Sequence, residues 1–297
     1  MVGSSRSLIF IPGNNQRFLE KSKGINSDII CYDLEDSVPA EEKEVARGLI
    51  EATIISLKNS NSNPEIRKER IVAVRTNSPN SKQISSDLDK VVIEGLDAIV
   101  VPKVEKVSQI LEISELLDHL EIERNIPRGY LRIMPSIESA LGVVNAFEIA
   151  NCNERNSSIL FGIFDFLHDM KIDTPDMDIL NSYMYARAKV PVDARAAGLD
   201  SIDSIWQDIN DIDGLNKDLR LGKKFGYTGK CIIHPSQIDH VHKIFNPSIQ
   251  DIQWATKVVQ ALDNAQKNLA SGAVKLEGKM IDAVHYKQAK RILDSAK

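Results

Sequence analysis

The sequence predicts a closed (β/α)8 TIM barrel with a C-terminal helical extension, on three observations. Runs of strand length alternate with helical segments about eight times along the chain. The strand runs are continuously apolar rather than alternating, as parallel strands covered on the outer face should be. Their exits are rich in ionisable residues, and the carboxyl ends of barrel strands are where such folds carry function. An open doubly wound sheet shares the alternation and is the runner-up. The repeats are expected to fill residues 1–245. The remaining 246–297 exceed what eight units need, and are expected to close over the site or reach another subunit.

The elements follow in order. Residues 7–12 form a buried-strand pattern that Pro12-Gly13-Asn14 ends, and a helical segment covers 16–23. Residues 28–33 are the second strand, with Leu34-Glu35-Asp36 at its exit. Pro39 and the acids after it open a helix, since proline suits the first turn and carboxylates suit its dipole. Residues 59–70, with Asn, Ser and Pro repeated, read as a surface connection. The third strand is 71–75, ending in Arg75. The fourth, 98–103, ends in Lys103 and precedes a helix at 107–120.

Strands five and six are 131–138 and 158–165, each stopping at a carboxylate, Glu138 and Asp165, with a helix at 140–149 between them. A loop lies around Thr174-Pro175. A helix at 183–197 follows, in which Pro191 should distort the turn. A weak seventh strand is read at 204–208, a helix at 215–221, and the eighth strand at 229–234. In the tail, helices at 248–269 and 283–295 flank Gly272 to Asp282.

Bulk properties narrow the function. The 297 residues, 42% hydrophobic with net charge −5, are ample for a large core and lack a basic cluster with interleaved aromatics, so no nucleic-acid partner is expected. Cys31, Cys152 and Cys231 are scattered and without CxxC spacing, as in a reduced cytoplasmic protein. No targeting core or membrane-length apolar run is seen.

The predicted strand exits are Pro12-Gly13, Glu35-Asp36, Arg75, Lys103, Glu138, Asp165, Asp208 and His234. Glu138 and Asp165 offer two hard oxygen ligands, and Mg²⁺ is commonly held by one or two carboxylates with water and substrate on its other positions. The alternative is that each acid caps the helix after it; two consecutive acid-tipped strands favour the cation. Glu35 and Asp36 are either helix-start acids or acceptors for the cation's waters. Arg75, at a dry strand tip, needs an anion, either a substrate oxygen or Glu35 or Asp36. Lys103 is a Schiff-base candidate if its amine is desolvated, although Glu105 could keep it charged. His234 reads as a strand end that starts a helix.

Taken together, Arg6-Ser-Leu-Ile-Phe-Ile-Pro-Gly-Asn14, Tyr32-Asp-Leu-Glu-Asp-Ser-Val38, Val101-Pro-Lys-Val-Glu105, Ile137-Glu-Ser-Ala-Leu-Gly-Val-Val144, Ala194-Arg-Ala-Ala-Gly198, Ile233-His-Pro-Ser-Gln237 and Glu277-Gly-Lys-Met-Ile-Asp282 occur in order. By these motifs, over nearly its whole length, the chain resembles the citrate lyase β-subunit-like proteins. These lie within the HpcH/HpaI aldolase superfamily, with the malyl-CoA and citramalyl-CoA lyases.

The resemblance implies a modified barrel, usually trimeric, that cleaves or forms a carbon–carbon bond in a 3-hydroxyacyl CoA thioester with an α-keto acid as the other fragment. It implies Mg²⁺ on Glu138 and Asp165, substrate binding by Arg75, and Glu35 and Asp36 around the metal waters. Asp282 matches an aspartate that the C-terminal segment delivers to a neighbouring subunit. Pro12, Gly13 and Asn14, with Arg17 and Lys21, match the region touching the CoA or carrier arm. Alternatives within the resemblance are a malate-synthase or thioesterase activity, and a subunit working with an acyl-carrier protein. One departure is Gly162-Ile-Phe-Asp165, where relatives commonly have Gly-Ala-Glu-Asp, which implies a narrower or less polar pocket.

Overall fold

Eight parallel strands pair in chain order and close: β1 (Ser7–Pro12), β2 (Ile29–Asp33), β3 (Ile71–Arg75), β4 (Ala98–Val101), β5 (Arg132–Ile137), β6 (Ser158–Phe161), β7 (Asp200–Asp203) and β8 (Gly229–Ile232). The structure is a computed structural model that describes residues 5–59, 70–172, 183–269 and 272–296. The polar connection expected at 59–70 lies almost entirely outside these residues, and the loop around Thr174-Pro175 lies wholly outside. The chain divides into two compact units, Met1–Val241 and His242–Lys297.

Closure comes from β8 pairing with β1, Lys230 opposite Ser7 and Cys231 opposite Leu8. The expected (β/α)8 barrel is therefore the observed fold, and the open sheet is excluded. Every strand sends a side chain inward: Leu8, Cys31, Ala73, Val100, Met134, Leu160, Ile202 and Cys231 are among one buried cluster. The barrel is thus a packed core and not a pore. Cys31 and Cys231 belong to that core as free thiols, and burial pushes the Cys231 thiol up to about 12. They are inert packing groups.

The outer layer holds α1 (Gln16–Ser22), α2 (Lys43–Asn59), α3 (Ile84–Val91), α4 (Val107–Glu123), α5 (Ala140–Val144), α6 (Ala146–Asn151), α7 (Ile163–Asp169), α8 (Met184–Ala196), α9 (Ile212–Phe225) and α10 (Ile238–Phe245). Asn15 caps α1 by accepting from the Phe18 amide, and Gly226 ends α9 in the left-handed conformation that glycine adopts without strain. Among the described residues no helix is long and apolar enough to cross a membrane.

Three expectations need correction. The seventh strand is Asp200–Asp203, four residues earlier than read, so Asp208 is not a strand exit. The run 204–208 has more hydrophobic bulk, but Asp208 is an exposed turn residue accepting from the Asn210 amide. The single helix expected at 140–149 is two short helices broken at Asn145, whose side chain donates to the Glu105 carbonyl. Finally, β6 stops at Phe161 and Asp165 sits in the first turn of α7, not on the strand itself.

Pro191 leaves α8 continuous rather than broken. A proline removes one helical N–H and so orphans the carbonyl four residues earlier. Here that carbonyl belongs to Arg187, and the buried Tyr227 hydroxyl donates to it at 2.9 Å. The Arg187 side chain closes a network on the barrel's outer face. Its Nη1 lies 2.7 Å from Asp218, its Nε 3.1 Å from Asp203, and Lys230 reaches Asp218 at 2.5 Å and Asp203 at 3.4 Å. Asp203 and Lys230 are register partners on β7 and β8, so the network ties together a strand pair that is short in register.

The second unit comprises α11 (Ile249–Leu269), the antiparallel hairpin β9 (Val274–Leu276) and β10 (Lys279–Ile281), and α12 (Ala283–Asp294). Ala255, Val258, Leu262, Ile281 and Ala289 form its core. Glu277 and Gly278 turn the hairpin with φ of 47° and 84°, the doubly positive pair that a two-residue turn between twisted strands requires.

Replacing Tyr227 by Phe should lower folding stability by about 1–3 kcal/mol, the cost of an unsatisfied buried carbonyl. Adding Pro191→Ala returns an N–H to that carbonyl and should recover part of the loss. Urea denaturation of the two single variants and the double variant checks this, and additive losses would contradict it.

Candidate active site

The carboxyl ends of β2 to β6 bring Asp33, Glu35, Asp36, Arg75, Lys103, Glu138 and Asp165 to one mouth of the barrel. Asp33 and Arg75 are register partners across β2 and β3. The Arg75 guanidinium donates to both oxygens of Asp33, Nε at 2.6 Å and Nη2 at 2.7 Å, and its face lies 4.6 Å from the Phe10 ring centroid. Asp33 also accepts from the Glu35 amide at 3.0 Å and from the Ser37 hydroxyl at 2.5 Å. Burial alone would raise this carboxyl, but the Arg75 charge and these hydrogen bonds outweigh it and hold Asp33 below its ordinary range.

The third Arg75 nitrogen, Nη1, lies 3.1 Å from Glu35. Of the two pairings expected for Arg75, Glu35 is observed and Asp36 is not, while the principal partner, Asp33, was given no role. Its signal was available: consecutive apolar strands that end in Asp33 and Arg75 place opposite charges side by side once in register.

Glu35 is buried and is not a helix-start acid, since the following helical turn begins at Ala40. The Lys43 ammonium fixes its loop by donating to the Leu34 and Glu35 carbonyls at 2.6 and 2.7 Å. Burial lifts the Glu35 carboxyl above its ordinary range, against the pull of Arg75 and with the push of Asp36. Asp36 is exposed.

Lys103 follows β4 with a positive φ of 53°. Its ammonium lies 2.8 Å from Glu35, 3.3 Å from Asp36 and 3.4 Å from Asp165. Burial works against its charge, but the bond to Glu35 and the charges of Glu35, Asp165 and Asp36 keep its pKa well above normal. Glu105, expected as its partner, is not what holds it. A neutral amine is what a Schiff base needs, and this environment opposes one.

Glu138 does not cap the next helix; the Ser139 hydroxyl does, accepting from the Gly142 amide at 3.1 Å. The Glu138 side chain is buried, and its Oε2 finds no hydrogen-bond partner among the described residues. Desolvation, with the negative charges of Glu35 and Asp165 nearby, pushes its pKa up to about 8. Gly162 makes room for it: a Cβ at that position would meet Glu138 Cγ at 2.5 Å and Cδ at 2.9 Å. Asp165 is half-buried. Ile163 is fully enclosed with its amide on the Ser204 hydroxyl at 3.2 Å, so of the two bulky residues only Phe164 keeps exposed surface.

Among the described residues five carboxylates thus face two cationic side chains, and the buried Glu138 Oε2 lacks a hydrogen-bond donor. A further cation would satisfy both deficits. Among the described residues no three His, Cys, Asp or Glu side chains form a ready-made metal cage. The residues therefore fit an ion that takes few protein ligands, as Mg²⁺ does.

At the same mouth Pro12 ends β1, and the Gly13 amide donates to the Asp33 carbonyl at 3.0 Å. A Cβ on Gly13 would come within 2.6 Å of that oxygen. Asn14 hydrogen-bonds Glu42, and Arg17 and Lys21 lie one turn apart on the exposed face of α1. His234 caps the short turn that follows β8, as expected. In the second unit Asp282 caps α12. It accepts from the Val284 amide at 3.0 Å and pairs with His285 Nδ1 at 2.8 Å, a hydrogen bond that lowers its pKa.

The chain is similar to known proteins along its whole length. The citrate lyase subunit beta of Leuconostoc mesenteroides subsp. cremoris is 34% identical over 98% of this chain and 93% of its own. A (3S)-malyl-CoA thioesterase of Cereibacter sphaeroides is 28% identical over 98% and 94%. A crystal structure of CitE from Mycobacterium tuberculosis, in complex with magnesium, acetoacetate and coenzyme A, covers 99% of this chain and 98% of that one, with TM-score 0.76 and 24% identity. The family model for HpcH/HpaI aldolase/citrate lyase matches residues 6–235, which span all eight strands, and the chain belongs to that family.

Proposed function

We propose that the protein is a Mg²⁺-dependent carbon–carbon lyase that cleaves a 3-hydroxyacyl thioester of the citramalyl, malyl or citryl type into an α-keto acid and an acyl thioester. The observation that carries this reading is the buried, undercompensated acid cluster beside a fixed arginine at the barrel mouth. Glu138 and Asp165 would hold the ion, which supplies Lewis-acid polarisation of the substrate's hydroxyl and carboxylate oxygens.

The remaining roles fall to the chain's own groups. In the cleavage, the hydroxyl proton passes to water at the mouth, and the oxygen becomes the keto acid's carbonyl as the carbon–carbon bond breaks. The electron pair of that bond passes to the thioester enolate, which then takes up a proton at carbon. Arg75 is held by Asp33 so that its charge is preoriented toward the negative charge developing on the substrate. Glu35 and Asp36 accept from waters at the mouth. Asp282, hydrogen-bonded to His285, is assigned the proton exchange at the enolate carbon, passing on a proton that it draws from solvent. The turn of Pro12, Gly13 and Asn14, with the cations Arg17 and Lys21 beside it, suits the phosphates of a CoA or carrier arm. Residues 246–297 are assigned to closing the site, in this subunit or a neighbour within a homotrimer.

A second reading is the β subunit of a citrate-lyase-type complex, acting on an acyl-carrier protein; the 34% identity to such a subunit supports it. Similarity to a malyl-CoA thioesterase supports a third, in which the thioester is hydrolysed. A panel of citryl, citramalyl and malyl thioesters on CoA and on carrier protein separates the three. Keto-acid release marks lyase activity, and free CoA without keto acid marks hydrolysis.

Asp165→Asn and Glu138→Gln should each lower keto-acid release by at least about 100-fold and weaken Mg²⁺ binding; activity that persists in EDTA would refute the metal reading. Gly162→Ala should do the same while the fold survives, because the added methyl evicts Glu138, and circular dichroism alongside Mg²⁺ titration distinguishes this from misfolding. Borohydride with pyruvate should leave no adduct on Lys103, as mass spectrometry of the digested protein would reveal.

A further inference from the structure

We propose that Lys103 is an internal counter-cation of the acid cluster, one that a divalent ion must displace from Asp165, and that it thereby sets the protein's affinity for the ion. The inference rests on the reading of Glu138 and Asp165 as metal ligands and adds a residue that acts on the ion without holding it.

Three observations carry it. The Lys103 ammonium stands among three carboxylates from two segments, 2.8 Å from Glu35 and 3.3 Å from Asp36 in the loop after β2 and 3.4 Å from Asp165 in α7. Asp165 is one of the two acids assigned to the ion, so ammonium and ion compete for the same oxygens. Second, the backbone holds Lys103 there at a conformational cost. A φ of 53° is a left-handed conformation that a lysine adopts only when its surroundings impose it. The constraints lie on either side: Val101 pairs with Pro135 in the β4–β5 ladder, and the Val104 amide donates to the Ser136 carbonyl at 3.1 Å. Third, the arginine cannot serve instead. Its guanidinium is committed to Asp33 and Glu35, which leaves Asp36 and Asp165 to Lys103 alone among the ion pairs of the described residues.

The consequence is a definite sign. A fixed positive charge beside a dication is repulsive, and the Lys103–Asp165 contact must be broken for the ion to bind. Removing the charge should strengthen ion binding and weaken the ion-free protein, where the acids then repel one another unopposed. A lysine that merely orients Asp165 for the ion would give the opposite sign for binding, and a lysine serving only as surface charge would change neither quantity.

The test is Mg²⁺ binding measured by titration calorimetry on the full chain without substrate, for wild type, K103M, K103Q and K103R. Thermal denaturation of each in EDTA and in saturating Mg²⁺ accompanies it. K103M and K103Q should bind Mg²⁺ roughly tenfold more tightly, as expected when a nearby like charge is removed in a partly screened site. K103R, which keeps the charge, should stay within about twofold of wild type. Both neutral variants should melt lower than wild type in EDTA and gain more from Mg²⁺. Neutral variants that bind Mg²⁺ no more tightly than wild type would overturn the role of Lys103 while leaving the metal site standing. Wild-type protein that binds no Mg²⁺ would overturn the metal reading and this inference together.

Discussion

The site depends on one ion pair, Asp33 with Arg75. Two charges at adjacent strand tips sit in register inside a closed barrel, and each satisfies the other through two hydrogen bonds. Loss of either partner of such a buried pair leaves an uncompensated charge, at a cost of roughly 3–5 kcal/mol. The pair also has geometric effects. It fixes the guanidinium plane against Phe10, brings Nη1 to Glu35, and through the Glu35 amide shapes the loop that carries Glu35 and Asp36. Lys103 then enters because Glu35 is already in place. The mouth is thus a chain of electrostatic dependencies that begins at one cross-strand contact.

The barrel uses the same device on its other face. Asp203 and Lys230 are again register partners on adjacent strands, but they point outward, where Arg187 and Asp218 complete the neutralisation. In that outer-face network every charge has an opposite partner close by. At the mouth, among the described residues, the acids outnumber the cations, and the buried Glu138 Oε2 is left over. That difference in balance, rather than the presence of charge, distinguishes a structural cluster from one able to take up a further cation.

Much of the barrel was legible because its strands are short apolar runs bounded by breakers, and periodicity reads such runs well. The seventh strand was not, because Asp200-Ser-Ile-Asp203 is mostly polar and only Ile202 faces the core. Its ladder and its buried charges come from partners distant in sequence. The continuity of α8 across Pro191 was hidden for the same reason, since the rescuing hydroxyl of Tyr227 lies on another element. Glu138, Asp165, Arg75 and Lys103 could be named from their places beside strand ends. That Asp33 would be Arg75's main partner, or that Lys103 would turn to Glu35 and away from Glu105, required the register between strands.

Closure of the barrel through β1 and β8 has a bearing on how the chain comes to be folded. Ser7 and Lys230 are neighbours in the ladder although more than 200 residues separate them, and Gly229 lies so close to the backbone of Ser5 and Arg6 that no side chain would fit. During synthesis the first strand must wait for the last, and until then the partial sheet has two open edges able to pair with other chains. The final seam therefore forms only after most of the molecule has left the ribosome, and the first unit gains its full cooperativity in that late step.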